Sequence, residues 1–186
     1  LLNLSRIAAD CSITVPTAKS WLSVLQASYI CFTLKPHSSN FRKRIVKTPK
    51  LYFYDVGLAC RLLGIQEESQ IKTHPLRGCL FENMVVTDLL KTRLNLGIDP
   101  SMFFWRDSAG LEIDLILENS DKLQPIEIKS GETFTASWMN NLNKWRTLAA
   151  NNSTQAMLCY GGNWTGQRSE VKVLPWHKVV QINECH

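Results

Sequence analysis

Apolar residues recur at helical intervals near the start of the chain and at alternate positions in its middle, and this change of period divides the sequence into two parts. Leu4, Ile7, Ala8 and Cys11 share one face of a first helix. After a polar turn, Ala18, Trp21, Leu22, Leu25 and Tyr29 fall at i, i+3, i+4, i+7 and i+11, which predicts a second amphipathic helix with Thr14 as its cap and Pro16 in its first turn. Ile30–Leu34 and Leu51–Tyr54 are rich in strand-forming residues. Helix, turn, helix and two-stranded ribbon together predict a winged helix over residues 1–55. Asp55–Leu63 reads as a short helix ended by Gly64, and the polar stretch Gln66–Leu76 as a linker, so residues 56–76 form a connector.

A longer helix starts at Gly78, with Phe81, Met84, Val85 and Leu89 on its apolar face and Glu82 at the edge of that stripe. A strand is expected over Met102–Trp105. Leu111–Glu118 and Pro125–Ser130 then alternate with the period of two that strands impose. On this reading Ile113, Leu115 and Leu117 face one side, and Glu112, Asp114 and Glu118 the other. Ile126 and Ile128 face a core, while Glu127 and Lys129 share an open side roughly 6 to 7 Å apart. Trp138, Leu142, Trp145 and Ala149 mark a further helix, and Gln155–Tyr160 and Val171–Leu174 two more strands, separated by the Gly161-Gly162 turn. Residues 77–186 therefore read as a second domain, and the chain as α+β. Its 186 residues, 45% of them hydrophobic, suffice for a sizeable core.

The net charge of +5 is unevenly placed: residues 1–50 carry eight Lys or Arg against Asp10 alone, while the remainder is slightly acidic. Lys35, His37, Arg42, Lys43, Arg44, Lys47 and Lys50 lie in or beside the expected wing without one acid, which suits phosphate contacts. A solvated loop or a protein-docking wing is the plainer alternative. Cys11, Cys31, Cys60, Cys79, Cys159 and Cys185 show no zinc-type spacing and read as buried free thiols in a reducing, cytoplasmic setting. The four histidines show no ligand spacing, the tryptophans fall mostly on apolar stripes, and no apolar run reaches membrane-spanning length. The chain starts at Leu1, inside a helical pattern, and reads as part of a longer protein.

Two carboxylates and an ammonium on neighbouring strands suit a hard divalent cation and an attacking water. Charged residues alternating on the solvent face of a hairpin are the plainer explanation. Glu82 favours the former, because a third acid in the same place needs a cation for relief. The combination of Glu82 on a helix, Asp114 on a strand and Glu127-Ile128-Lys129 on the next resembles the PD-(D/E)XK restriction-endonuclease-like superfamily over roughly residues 77–174. The resemblance implies an α/β/α domain with a mixed central sheet. It makes Asp114, Glu127 and Glu82 metal-binding acids, Lys129 the catalytic lysine, and Mg2+ or Mn2+ the cofactor.

The block from Lys47 to Leu58, together with Gly78-Cys79-Leu80-Phe81-Glu82-Asn83, Phe104-Trp105-Arg106 and Glu127-Ile128-Lys129-Ser130, is similar to the C-terminal half of a prokaryotic ATPase family. In that family an AAA-type domain precedes a winged helix and a nuclease-like domain of unknown function. No GxxxxGK[ST] loop occurs in these residues, so any ATP chemistry lies upstream. The expectation is a DNA-binding region with a Mg2+-dependent phosphodiester-cleaving site, in which Lys35, Arg42, Lys43, Arg44, Lys47, Lys50 and Arg106 contact DNA. The alternative is a non-catalytic module that docks a partner or regulates the ATPase. The oligomeric state is not legible.

Overall fold

The structure, a computed structural model, describes residues 1–38, 41 and 44–184. Two short helices open the chain, α1 (Leu4–Asp10) and α2 (Val15–Ala27), each started by a side chain that accepts a backbone N–H: Asn3 from Arg6 and Thr14 from Thr17. The ribbon β1 (Cys31–Pro36) and β2 (Lys50–Phe53) follows, then α3 (Val56–Leu62), capped by Asp55. The segment expected to be a bare linker contains a further helix, α4 (Glu68–Thr73). Its capping box pairs Glu67 with Gln70, and Ile71 packs on Ala59, Ile65 and Leu80, which a purely polar reading overlooked.

The long helix α5 (Arg77–Asn95) leads into β3 (Met102–Arg106), β4 (Glu112–Asn119) and β5 (Lys122–Lys129). A single 3-10 turn holds Trp138 before α6 (Asn140–Ala149) begins, so the predicted helix starts later than its tryptophan. Then come β6 (Ala156–Tyr160), β7 (Gly166–Arg168), β8 (Val171–Pro175) and a closing 3-10 segment, Trp176–Glu184. The strands β6 and β8 run parallel, so Gly161-Gly162 does not join them as a hairpin. The short strand β7 pairs antiparallel with β8 instead, through Ser169 and Glu170 at positive φ.

All eight strands form one mixed sheet in the order β2-β1-β3-β4-β5-β6-β8-β7. The N-terminal ribbon is part of it, because β1 pairs in parallel with β3 through Lys35↔Phe103 and Pro36↔Phe104. Helices cover both faces. On one, Val85, Val86, Leu89 and Leu90 of α5 pack on Leu115, Leu117, Ile126 and Ile128. On the other, Leu142, Trp145 and Ala149 of α6 pack on Ile113, Ile116, Leu158 and Val173. Ile113 and Leu115 thus lie in different cores. The β3–β4 register shifts between Phe103 and Trp105, which breaks the strict alternation expected along β4.

The apolar stripe of α2 is largely uncovered: only Ala18 is buried and Trp21 is 56% exposed, while Tyr29, expected on the same stripe, lies past the end of the helix and is 75% exposed. Cys11 and Cys79 are exposed rather than buried, and Cys185 lies outside the described residues. Among the described residues no helix is long and apolar enough to cross a membrane.

One polar contact fixes the outermost strand to α5. The Asn83 side chain accepts the Phe53 N–H and donates to the Phe53 carbonyl, both at 2.8 Å, and the Thr87 hydroxyl adds a 3.1 Å bond to the same carbonyl. An amide that mimics a neighbouring strand satisfies a sheet edge that would otherwise have no partner there. Asn83→Ala is expected to lower the unfolding free energy by about 2 kcal/mol, through Phe53 backbone groups left without partners. Urea denaturation measures this, with exposed Leu94→Ala within about 0.5 kcal/mol of the parent as the control.

Candidate active site

The ladder between β4 and β5 runs from Asn119↔Lys122 to Leu115↔Ile126 and stops. Asp114 and Glu127 occupy the next positions, where the two strands part. The Asp114 carboxylate fills the gap by accepting the Ile128 N–H at 2.8 Å, a bond that a carbonyl of β4 would otherwise take. Burial decides against a solvent-facing hairpin, because Asp114 is 9% and Glu127 only 3% exposed. Lys129 Nζ donates to Glu127 Oε1 at 2.6 Å and lies 3.8 Å from Asp114 Oδ2. The other Glu127 oxygen, Oε2, is buried without a hydrogen-bond partner. Such an atom is costly to leave dry and unsatisfied.

Glu82, one helical turn past the start of α5, reaches the same fork but is held from its far side. Lys50 Nζ, on the first residue of β2, donates to Glu82 Oε1 at 2.8 Å, lies 2.6 Å from Glu112 Oε1 and stands 3.8 Å from Asp114 Oδ1. Tyr52, on the same face two residues along, donates its hydroxyl to Glu82 Oε1 at 2.6 Å. The remaining Glu112 oxygen takes Arg106 Nη1 at 2.9 Å. Four carboxylates (Glu82, Glu112, Asp114, Glu127) therefore meet three cations (Lys50, Arg106, Lys129). A cavity of about 450 Å3, lined by Leu62, Leu63 and Leu76 as well as Lys50, Tyr52, Glu82 and Glu112, gives access to this side of the cluster.

The protonation equilibria follow from burial and charge. Desolvation, then the Glu82 charge, pushes the Asp114 carboxyl up to about 6 against the pull of Lys50, Lys129 and the Ile128 N–H. Desolvation and Asp114 push Glu127 up to about 8 against Lys129. Burial alone would lower the Lys50 and Lys129 ammoniums, but the acids around them outweigh it and raise both above the ordinary lysine value.

The expected residues Glu82, Asp114, Glu127 and Lys129 are thus brought to one place. The basic residues are dispersed. Lys35, Arg44 and Lys47 are exposed on β1 and the loop before β2, whereas Arg42 and Lys43 lie outside the described residues. Lys50 is 9% exposed inside the acidic cluster and not on the loop, and Arg106 is tied to Glu112. The described residues just before β2 are tied to the end of β3. Val46 N–H bonds the Arg106 carbonyl and Ser108 N–H the Arg44 carbonyl. Lys50 and Tyr52 are members of the site that the sequence reading did not suggest, and Glu112, which shares the Asp114 side in the sequence, joins them through Lys50. The spacing of Lys50 and Tyr52 on one strand face was the available signal.

Residues 77–179, which hold Glu82, Glu112, Asp114, Glu127 and Lys129, match the model of a domain of unknown function, DUF4143. The chain belongs to the DUF4143 family. Residues 1–69, with Lys50 and Tyr52, match a second domain of unknown function, DUF8612, so the DUF4143 acids are met by a lysine from the segment before them. The chain is 30% identical over 133 residues to the uncharacterized protein Rv2008c of Mycobacterium tuberculosis and, to the same extent, to the uncharacterized protein Mb2031c of Mycobacterium bovis. Each match covers 72% of this chain and 29% of the relative, so this DUF4143 chain corresponds to less than a third of those proteins.

A raised carboxyl pKa means that the folded DUF4143 site holds protons that the unfolded chain has released, so stability is greatest below the ordinary carboxylate range and declines as pH climbs through about 6 to 8. With chelator present, the melting temperature is expected to be higher at pH 5 than at pH 8, and Glu127→Gln to shrink that difference by several degrees. An unchanged pH profile in Glu127→Gln would contradict the assignment.

Proposed function

We propose that this chain is the DNA-directed part of a larger ATPase, and that the fork between β4 and β5 is a Mg2+-dependent phosphodiester-hydrolysing site of the PD-(D/E)XK kind. The winged-helix reading of residues 1–55 and the nuclease-like reading of residues 77–186 belong to the same proposal. The observation that carries it is the buried convergence of Asp114, Glu127 and Lys129 with an unpartnered oxygen at Glu127 Oε2. Buried acids at the point where β4 and β5 stop pairing are unfavourable unless they serve a ligand.

Asp114 and Glu127 fit a hard cation in donor type, and Glu127 Oε2 is available to one. Glu82 is less free, since Lys50 and Tyr52 both hold its Oε1. Among the described residues no group of three or more acidic, histidine or cysteine side chains is arranged to hold a metal as it stands. When bound, Mg2+ would lower the pKa of a water and offset charge on the phosphate. Lys129 orients the attacking water with its ammonium and stabilises the developing oxyanion. The exposed Lys35, Arg44 and Lys47 supply sequence-independent contacts to the DNA backbone. ATP chemistry would reside in the part of the longer protein outside this chain.

Lys50 supports a second reading. Because it already neutralises Glu82 and Glu112, the same scaffold could serve as a non-catalytic module that docks a partner or regulates the ATPase. Nicking of supercoiled plasmid in Mg2+ or Mn2+ separates the two. The first reading expects cleavage that Lys129→Ala reduces by a factor of about 100 or more. DNA binding that weakens with salt, without cleavage in any divalent metal, would leave only the second.

A further inference from the structure

We propose that Lys50 is a built-in counter-cation that keeps a divalent ion from using Glu82, so that the N-terminal ribbon sets whether the acidic fork can load. This rests on the reading of the fork as a metal site and adds how that site is controlled.

The acids alone would not carry it. Glu127 points to a ligand independently: it is 3% exposed, its Oε1 is taken by Lys129, and its Oε2 has no partner. One seat at the fork is therefore built and unsatisfied. On the Glu82 side Oε1 is taken, because the Lys50 ammonium lies 2.8 Å from it and 2.6 Å from Glu112 Oε1, and the Tyr52 hydroxyl donates to it as well. A divalent ion binds carboxylate oxygens at roughly 2.0–2.6 Å, so ion and ammonium compete for the same lone pairs, and like charge opposes their coexistence.

Glu82 can join Asp114 and Glu127 around an ion only once Lys50 has left. The position of Lys50 permits that. It is the first residue of β2, and β2 is the outermost strand of the sheet, so its first pair, Leu34↔Lys50, is the end of the ladder. The firm anchor, the Asn83 clamp, lies three residues away at Phe53. Withdrawing the lysine would open one end of one edge strand without breaking the Ile128–Asp114 and Lys129–Glu127 bonds of the fork. The lysine and the acids also lie in the two separate family-matched segments, residues 1–69 and 77–179, which makes the contact a route from the first to the second.

Mn2+ titration of the full chain followed by electron paramagnetic resonance tests this. Lys50→Met is expected to bind one Mn2+ at least tenfold more tightly than the parent, Lys50→Arg to stay within about twofold of it, and Glu127→Gln added to Lys50→Met to abolish the gain. Lys50→Gln keeps a polar side chain that can donate to Glu112 while removing the charge, so it should also tighten binding, and it decides the matter if Lys50→Met does not fold. Lys50→Met and Lys50→Gln both binding Mn2+ no more tightly than the parent would overturn the proposal. Plasmid nicking in parallel separates the two levels. Tight Mn2+ binding by Lys50→Met without cleavage sinks the nuclease reading and leaves the counter-cation. Parent protein that binds and cleaves as well as Lys50→Met sinks the counter-cation alone.

Discussion

The contact among Lys50, Glu82 and Glu112 ties the first third of the chain to the rest, and most of what is distinctive in the structure follows from the need to make it. Burying a carboxylate or an ammonium costs several kcal/mol per ion, and only close, well-bonded opposite charge offsets that. Here three charges from three elements, β2, α5 and β4, meet within 2.8 Å. That meeting requires β2 to lie near the end of β4 where it parts from β5. The ribbon reaches that point by pairing β1 with β3, which makes a two-stranded appendage into the edge of an eight-stranded sheet.

The same electrostatics explain the asymmetry of the fork. Glu82 and Glu112 have cations in direct contact. Asp114 is steadied by the Ile128 N–H and by two lysines at 3.8 Å, and Glu127 by Lys129 on one oxygen only. The shortage of positive charge is thus concentrated on the Asp114–Glu127 side, and there the carboxyl pKa values are pushed upward. A site that is saturated at one end and short of cation at the other is partly assembled, and its two ends answer to different parts of the chain.

Much of this was legible in the sequence because it depends on local period. The alternation in β5, the cap at Thr14 and the placing of Glu82 near the start of a long helix are consequences of spacing within a few residues. What escaped depends on distant partners. Nothing near Lys50 says that it pairs with an acid more than thirty residues away, so a lysine ending a basic loop was read as a phosphate contact. The shift in register between β3 and β4 moved Ile113 to the opposite core from Leu115 and could not be seen from β4 alone. Exposure of Trp21 on α2 likewise turns on what lies across from the helix, which its own periodicity does not encode.

The ammonium of Lys50 can be observed directly. A lysine NH3+ group in water exchanges its protons too fast for detection, whereas one buried among carboxylates is protected, so 15N–1H spectra of the chelated protein near neutral pH report on the lysines held at the fork. A protected ammonium signal that vanishes in Lys50→Arg and survives in Lys129→Arg is the expected result. A spectrum unchanged by Lys50→Arg would show that the lysine is not held at the fork, and the link between the ribbon and the acids would be lost with it.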